Sequence, residues 1–175
     1  SCPPSATLEE QFPESKSEYA AEGTFAHTLA EHLLRGYLTT ELKPSTYKKR
    51  LAELQKDPLY SQSMMEYIDQ YKTIVGEKYL TLKKEYPDTF VMLEQRLDFS
   101  DWVPDGFGTG DVVIVAPGMI EIVDLKYGQG VPVSAVGNTQ MRLYALGAIN
   151  EFGMLYDFDR VRMTIIQPRL DSISE

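Results

Sequence analysis

The spacing of apolar positions along this chain changes from helical to extended near its middle. Tyr19, Ala20, Phe25, Ala26, Leu29, Ala30, Leu33 and Leu34 recur at helical intervals, which predicts a helix from about Ser17 with one apolar face. Gly23-Thr24 interrupts that stripe, either as a helix start capped by Thr24 or as a point of close packing, and Gly36 stands where a C-terminal cap is expected. Residues 1–16 contain three prolines and no period, so they read as an irregular lead-in. Tyr47, Leu51 and Leu54, set against Lys48, Lys49 and Arg50, predict a short helix over 46–56 that Asp57-Pro58 ends. Met64, Met65, Ile68, Tyr71, Ile74, Val75, Tyr79 and Leu82 predict a long helix from about Ser61 to Glu85. Its Met and Tyr stripe reads as core packing, and the Lys48–Arg50 cluster as a solvated face.

Beyond Pro87 the period becomes that of a strand. Phe90–Phe99 is extended, with Glu94, Arg96 and Asp98 on one face, and residues 101–108 form a loop holding the only tryptophan, Trp102. Val112–Val115, a turn at Ala116-Pro117-Gly118, and Met119–Tyr127 predict an antiparallel hairpin. Within it Ile120, Ile122, Asp124 and Lys126 share one side, while Glu121, Val123, Leu125 and Tyr127 share the other. Asp111, just after Gly110, reaches the same mouth if the hairpin is in register. Two carboxylates and an ammonium on an apolar hairpin are costly to bury unless they pair or bind a metal, although a lone Asp-x-Lys is also what solvated strand ends carry. A helix over 139–151 places Gln140 and Tyr144 on one face, and Arg160–Gln167 is a last strand stopped by Pro168. Helices, three strands, a helix and a strand together imply an α/β fold with a mixed sheet, the last strand joining in parallel after the crossover helix.

Length and charge then narrow the function classes. At 175 residues the chain fits one domain with a sizeable core. A formal net charge of −9 argues against coating nucleic acid by bulk electrostatics, yet leaves room for an enzyme that holds phosphates through a metal and a few cations. No apolar run approaches the ~20 residues a membrane-spanning helix needs, so no membrane partner is expected. Cys2 is the only cysteine, so no internal disulfide or multi-cysteine metal cluster forms, and a reducing cytoplasmic setting is the default. The abrupt start and unfinished-looking end lead us to expect a chain truncated at one or both ends. His27 and Glu31, four apart, read either as a surface pair or as two ligands addressing one ion.

In content and order, Gly23-Thr24-x-x-His27, Gly110-Asp111, Asp124-Leu125-Lys126 and Gln140-x-x-x-Tyr144 resemble the RecB-like branch of the PD-(D/E)XK nuclease superfamily. The segments 2–6 and 20–27 resemble a phage and prophage family of unassigned function within that branch. This resemblance implies a restriction-endonuclease-like core, a central mixed β-sheet flanked by helices, over about 88–168, preceded by a helical N-terminal part over about 17–86. It implies a metal-dependent deoxyribonuclease acting on single- or double-stranded DNA ends, with Mg²⁺ or Mn²⁺, in phage recombination, replication or repair inside a bacterial host. His27, Asp111 and Asp124 match the metal ligands, with the backbone carbonyl of Leu125 as a further oxygen, and Glu94 matches a less constant acidic position. Lys126 matches the catalytic lysine, for which an electrostatic role is preferred over a general-base one, and Gln140 and Tyr144 match a motif that holds DNA. Some members tie their ends with four cysteines around an iron–sulfur cluster; only Cys2 matches, so no such cluster is expected from this chain. The rival readings are an inactive DNA-binding or recombination-partner module on the same fold, and a different metal-dependent hydrolase built on His27 and Glu31.

Overall fold

The computed structural model describes residues 13–154 and 156–175, so Cys2 and most of the expected lead-in lie outside the described residues. The first apolar stripe folds as one unbroken helix, α1 (Pro13–Leu38), which starts earlier and ends later than its pattern suggested. Phe25, Ala26, Leu29, Ala30, Leu33 and Leu34 are all buried, and that burial outweighs the ~1 kcal/mol that a glycine costs inside a helix. Thr24 therefore caps nothing: its hydroxyl donates back to the Ala20 carbonyl at 3.0 Å. Gly36 is not a cap either. A Cβ there would lie 2.3 Å from the Tyr47 ring, so the glycine lets the next helix approach.

That next helix, α2 (Pro44–Leu54), opens on a proline whose missing N–H costs nothing at a first helical turn. The long helix α3 (Gln62–Glu85) is started by Ser61, whose side chain accepts from the Met64 N–H. Its Met64, Ile68, Tyr71 and Val75 recur on one face and are buried, as their spacing requires.

Five strands form one mixed sheet in the order β1 (Phe90–Asp98), β2 (Phe107–Ala116), β3 (Gly118–Leu125), β4 (Phe158–Gln167) and β5 (Ser172–Ser174). The β2–β3 hairpin is antiparallel, with Gly118 at φ +76° in its turn, a conformation that favours glycine. After the crossover helix α4 (Thr139–Phe152), β4 pairs in parallel with β3, as the element order implied. The chain then turns through a short 3₁₀ segment and returns as β5, so its end is paired to the sheet. β2 also begins sooner than its β-branched run suggested, taking Phe107 and Gly108 out of the expected loop.

Both sheet faces are covered. Leu93, Val112, Ile114, Val123 and Leu125 pack against α1 and α3, and Leu97, Val113, Val115, Ile120 and Ile122 pack against α4. Strands covered on both sides can be apolar continuously, which accounts for the unbroken runs in β2 and β3. One exception is Glu121, fully buried midway along β3. Lys78 Nζ of α3 lies 2.9 Å from one of its oxygens, Thr164 donates to that oxygen at 3.0 Å, and Arg162 approaches the other at 3.5 Å. Removing one partner from a buried ion pair strands the other charge. Lys78→Met should therefore lower stability by about 3 kcal/mol in urea denaturation, and adding Glu121→Gln should restore most of the loss. Additive losses in the double variant would show that the pair is not coupled.

Candidate metal centre

Three carboxylates meet at one level of the sheet, on three adjacent strands. The β1–β2 register runs through Leu93↔Val112 and resumes at Gln95↔Gly110, which sets Glu94 opposite Asp111 at the one skipped position. One step beyond the last β2–β3 pair, Val112↔Val123, Asp111 faces Asp124. The alternation of faces breaks at this level on β1 and on β2. Leu93 packs on the α1 side, but Leu97, which strict alternation would put on the same face, packs on the α4 side. Likewise a Cβ on Gly110 would meet Leu97 and Val113 of the α4 side, while Val112 faces α1. Glu94 absorbs the break with φ +52°, rare for a residue with a side chain and costing on the order of 1–3 kcal/mol. As a result, Glu94 and Asp111 both turn toward α1.

His27 meets them there. Its Nδ1 lies 3.2 Å from Asp111 Oδ1, and the other Asp111 oxygen accepts the Leu125 N–H at 2.6 Å. Ligand atoms of His27, Glu94 and Asp111 all fall within 4.8 Å of one another. They border a cavity of about 10 Å³, closed by Glu31, Leu34, Tyr71 and Leu125, just enough for one small body. The Tyr71 hydroxyl is buried without a hydrogen-bond partner. A wider concavity elsewhere, of about 370 Å³, mixes Glu77 and Glu85 with Lys78, Arg160 and Arg162 and gathers no comparable donor set.

Charge crowding shows in the proton affinities. Burial, then repulsion from Asp111 and Glu31, pushes the Glu94 carboxyl up to about 7. Burial and Asp111 also raise Asp124, opposed by Lys126. Burial disfavours the charged form of His27, but the hydrogen bond to Asp111 and the charges of Asp111, Asp124 and Glu94 outweigh it, so its pKa rises. Burial and the same three carboxylates hold the Tyr71 phenol well above its ordinary value.

Asp124 heads a second row on the α4 side. Lys126 Nζ lies 2.9 Å from Asp124 Oδ2, and this ion pair is what meets that buried oxygen. Lys126 donates instead to Gln140 Oε1 at 2.9 Å, and Gln140 donates to the Tyr144 hydroxyl at 2.9 Å. The helix carrying both starts at Asn138, whose side chain accepts from the Met141 N–H. A Cβ on Gly108 would come within 2.4 Å of the Tyr144 ring, so the glycine lets that ring lie on β2.

The structure thus brings His27, Glu94 and Asp111 into one cluster, and Asp124, Lys126, Gln140 and Tyr144 into an adjoining chain. Glu94, a secondary candidate by sequence, stands within the tight cluster, and Asp124 stands at its edge. Glu31 lines the cavity but is taken by Arg35, whose Nε donates to it at 2.8 Å. The apolar helical spacing of Tyr71 predicts core packing alone and carries no sign that its hydroxyl ends among the carboxylates of this cluster. One imidazole and two hard carboxylates around a cavity for one small body make a donor set that could hold a divalent ion.

Over residues 1–175 the chain matches the model of a family described as "Protein of unknown function (DUF2800)", and it belongs to that family.

The raised carboxyl fixes the sign of a pH effect. Folded Glu94 binds its proton more tightly than an unfolded glutamate, so between about 4.5 and about 7 its burial becomes destabilising as pH rises. Denaturation in chelator should show Glu94→Gln gaining stability over the parent as pH rises through that window. A constant difference between the two would mean that Glu94 titrates normally. A saturating divalent ion should reverse the trend, because metal binding needs the deprotonated ligands.

Proposed function

We propose that this chain is a divalent-metal-dependent deoxyribonuclease that hydrolyses phosphodiester bonds at DNA ends, in phage recombination, replication or repair. The observation that carries this reading is the adjacency of two groups: the His27–Glu94–Asp111 donor cluster and the Asp124–Lys126–Gln140–Tyr144 chain, joined across β2 and β3. His27, Asp111, Asp124 and the Leu125 carbonyl would hold the ion, with Glu94 as a further oxygen. Such an ion supplies Lewis acidity to a phosphate oxygen and to a nearby water.

The chain's own groups supply the rest. Lys126 is a cation fixed between the Asp124 carboxylate and the Gln140 carbonyl oxygen, so little reorganisation is needed for it to stabilise charge growing on the phosphate. Asp124 fixes Lys126 from one side, and Gln140 with Tyr144 from the other. When DNA enters, Gln140 and Tyr144 can exchange their mutual hydrogen bond for phosphate or sugar contacts. Glu94 would give up its proton to serve as a ligand. The net charge of −9 makes the local cation and the ion, rather than the whole surface, responsible for holding phosphate.

With Mn²⁺ the parent should degrade linear DNA, and chelator should stop it. Asp111→Ala should lose both Mn²⁺ binding by calorimetry and cleavage. Lys126→Ala should keep Mn²⁺ affinity yet cleave more slowly by on the order of a hundredfold or more. Gln140→Ala and Tyr144→Phe should weaken DNA binding or turnover with melting temperature and Mn²⁺ affinity near the parent's. Equal cleavage by parent and Asp111→Ala would sink the assignment. DNA bound but never cut by the parent would instead mark an inactive binding module.

A further inference from the structure

The two carboxylates of the metal cluster begin an exposed face that continues outward along the β1–β2 ribbon. From Glu94 the alternation resumes, so Glu94, Arg96 and Asp98 share a face while Gln95 and Leu97 turn to α4. On β2, Gly108 and Gly110 lie toward α4, so Phe107, Thr109 and Asp111 share the other face. The register pairs Arg96 with Thr109 and Asp98 with Phe107, which makes one continuous surface. Arg96 and Thr109 are exposed on it, and Phe107 is 58% exposed.

An exposed phenylalanine on a two-stranded ribbon has no packing role there, yet its ring is occupied. The Arg96 guanidinium carbon lies 4.2 Å from the Phe107 ring centroid. Asp98, as near to Arg96 in sequence as Glu94 is, accepts the Ser100 N–H at 2.8 Å and so is turned into the loop. Residues Arg96, Asp98, Ser100, Asp105, Gly106 and Phe107 border an open concavity of about 350 Å³. Two flat π-surfaces, one cationic, beside two carboxylates suit the face of a nucleobase better than a bare phosphate. Distance supports the same occupant. Arg96 is two residues from Glu94 and Phe107 four from Asp111, roughly 7 and 13 Å at about 3.3 Å per residue. That is one or two nucleotide steps from a phosphate held at the cluster.

We infer that Arg96 and Phe107 form a base-stacking subsite for unpaired DNA next to the metal cluster, receiving the bases one or two nucleotides from the phosphate to be cut. This rests on the nuclease reading for the occupant of the cluster, but stacking itself is measurable without metal. Duplex bases are already stacked on their neighbours, so the subsite selects frayed or single-stranded ends.

The test uses a labelled oligothymidine single strand, an abasic strand of equal length and a blunt duplex. Anisotropy in EDTA reads binding, and turnover in Mn²⁺ reads KM and kcat. Phe107→Ala and Arg96→Ala should each weaken oligothymidine binding and raise its KM about tenfold, within what one base–aromatic stack contributes. Phe107→Trp should restore both, and the abasic strand should bind parent and Phe107→Ala alike. Melting temperatures check folding, which an exposed position should leave intact. A parent that cuts oligothymidine while both alanine variants match it overturns the subsite and leaves the nuclease reading standing. A parent that never cuts but binds oligothymidine, and loses that binding in Phe107→Ala, keeps the subsite and removes the nuclease reading. Equal losses for single strand, abasic strand and duplex would overturn stacking in favour of a plain phosphate contact.

Discussion

Mutual repulsion among Glu94, Asp111 and Asp124 is the constraint that the surrounding structure answers. Three carboxylates at one level of three adjacent strands cannot all be charged, dry and unpartnered. Each meets the problem differently. Asp111 accepts a backbone N–H and faces His27; Asp124 faces Lys126; Glu94 keeps its proton until about pH 7. The answer is incomplete, since the Tyr71 hydroxyl is buried without a hydrogen-bond partner and the ion pair to Lys126 is all that meets Asp124 Oδ2. A cation would complete it.

The middle of β3 shows how this protein treats a buried carboxylate that holds the fold. Glu121 is buried more completely than Asp124, yet Lys78, Thr164 and Arg162 surround it. Those partners come from α3 and β4, so the network ties a helix to two strands. The two histidines divide in the same way. His32 stacks on Tyr47 at 4.6 Å and its Nε2 contacts the Tyr47 carbonyl oxygen at 3.1 Å, while burial lowers its pKa. His27, one turn and a residue earlier on α1, faces carboxylates and is held the other way. The same residue type on one helix thus serves packing at one position and a polar cluster at the other.

Strain and chemistry coincide at Glu94. Its positive φ turns two consecutive β1 side chains, Leu93 and Glu94, toward α1, and that turn delivers the carboxylate to the cluster. It also resets the alternation, so that Arg96 and Phe107 emerge on the cluster's face instead of beneath α4. One backbone irregularity therefore shapes both the metal cluster and the ribbon beyond it. Among the described residues no helix is long and apolar enough to cross a membrane.

Much of the architecture was legible in the sequence because it depends on period and punctuation. The α3 stripe, the Ala116-Pro117-Gly118 turn, the hairpin and the parallel return of β4 each follow from local pattern plus a connection rule. The short-range relations were legible too: Asp124 and Lys126 share a strand face, and Gln140 and Tyr144 a helix face, because fixed geometry sets those spacings. Tertiary structure alone decided the rest. Whether Gly23 and Gly36 end a helix depends on what packs against it, and here burial of the α1 stripe and the approach of Tyr47 carried the helix through both. Glu94 and Tyr71 joined the cluster through a break in strand alternation and a helix packed across the sheet. Neither leaves a periodic trace, because both arise from contacts between segments far apart in the chain.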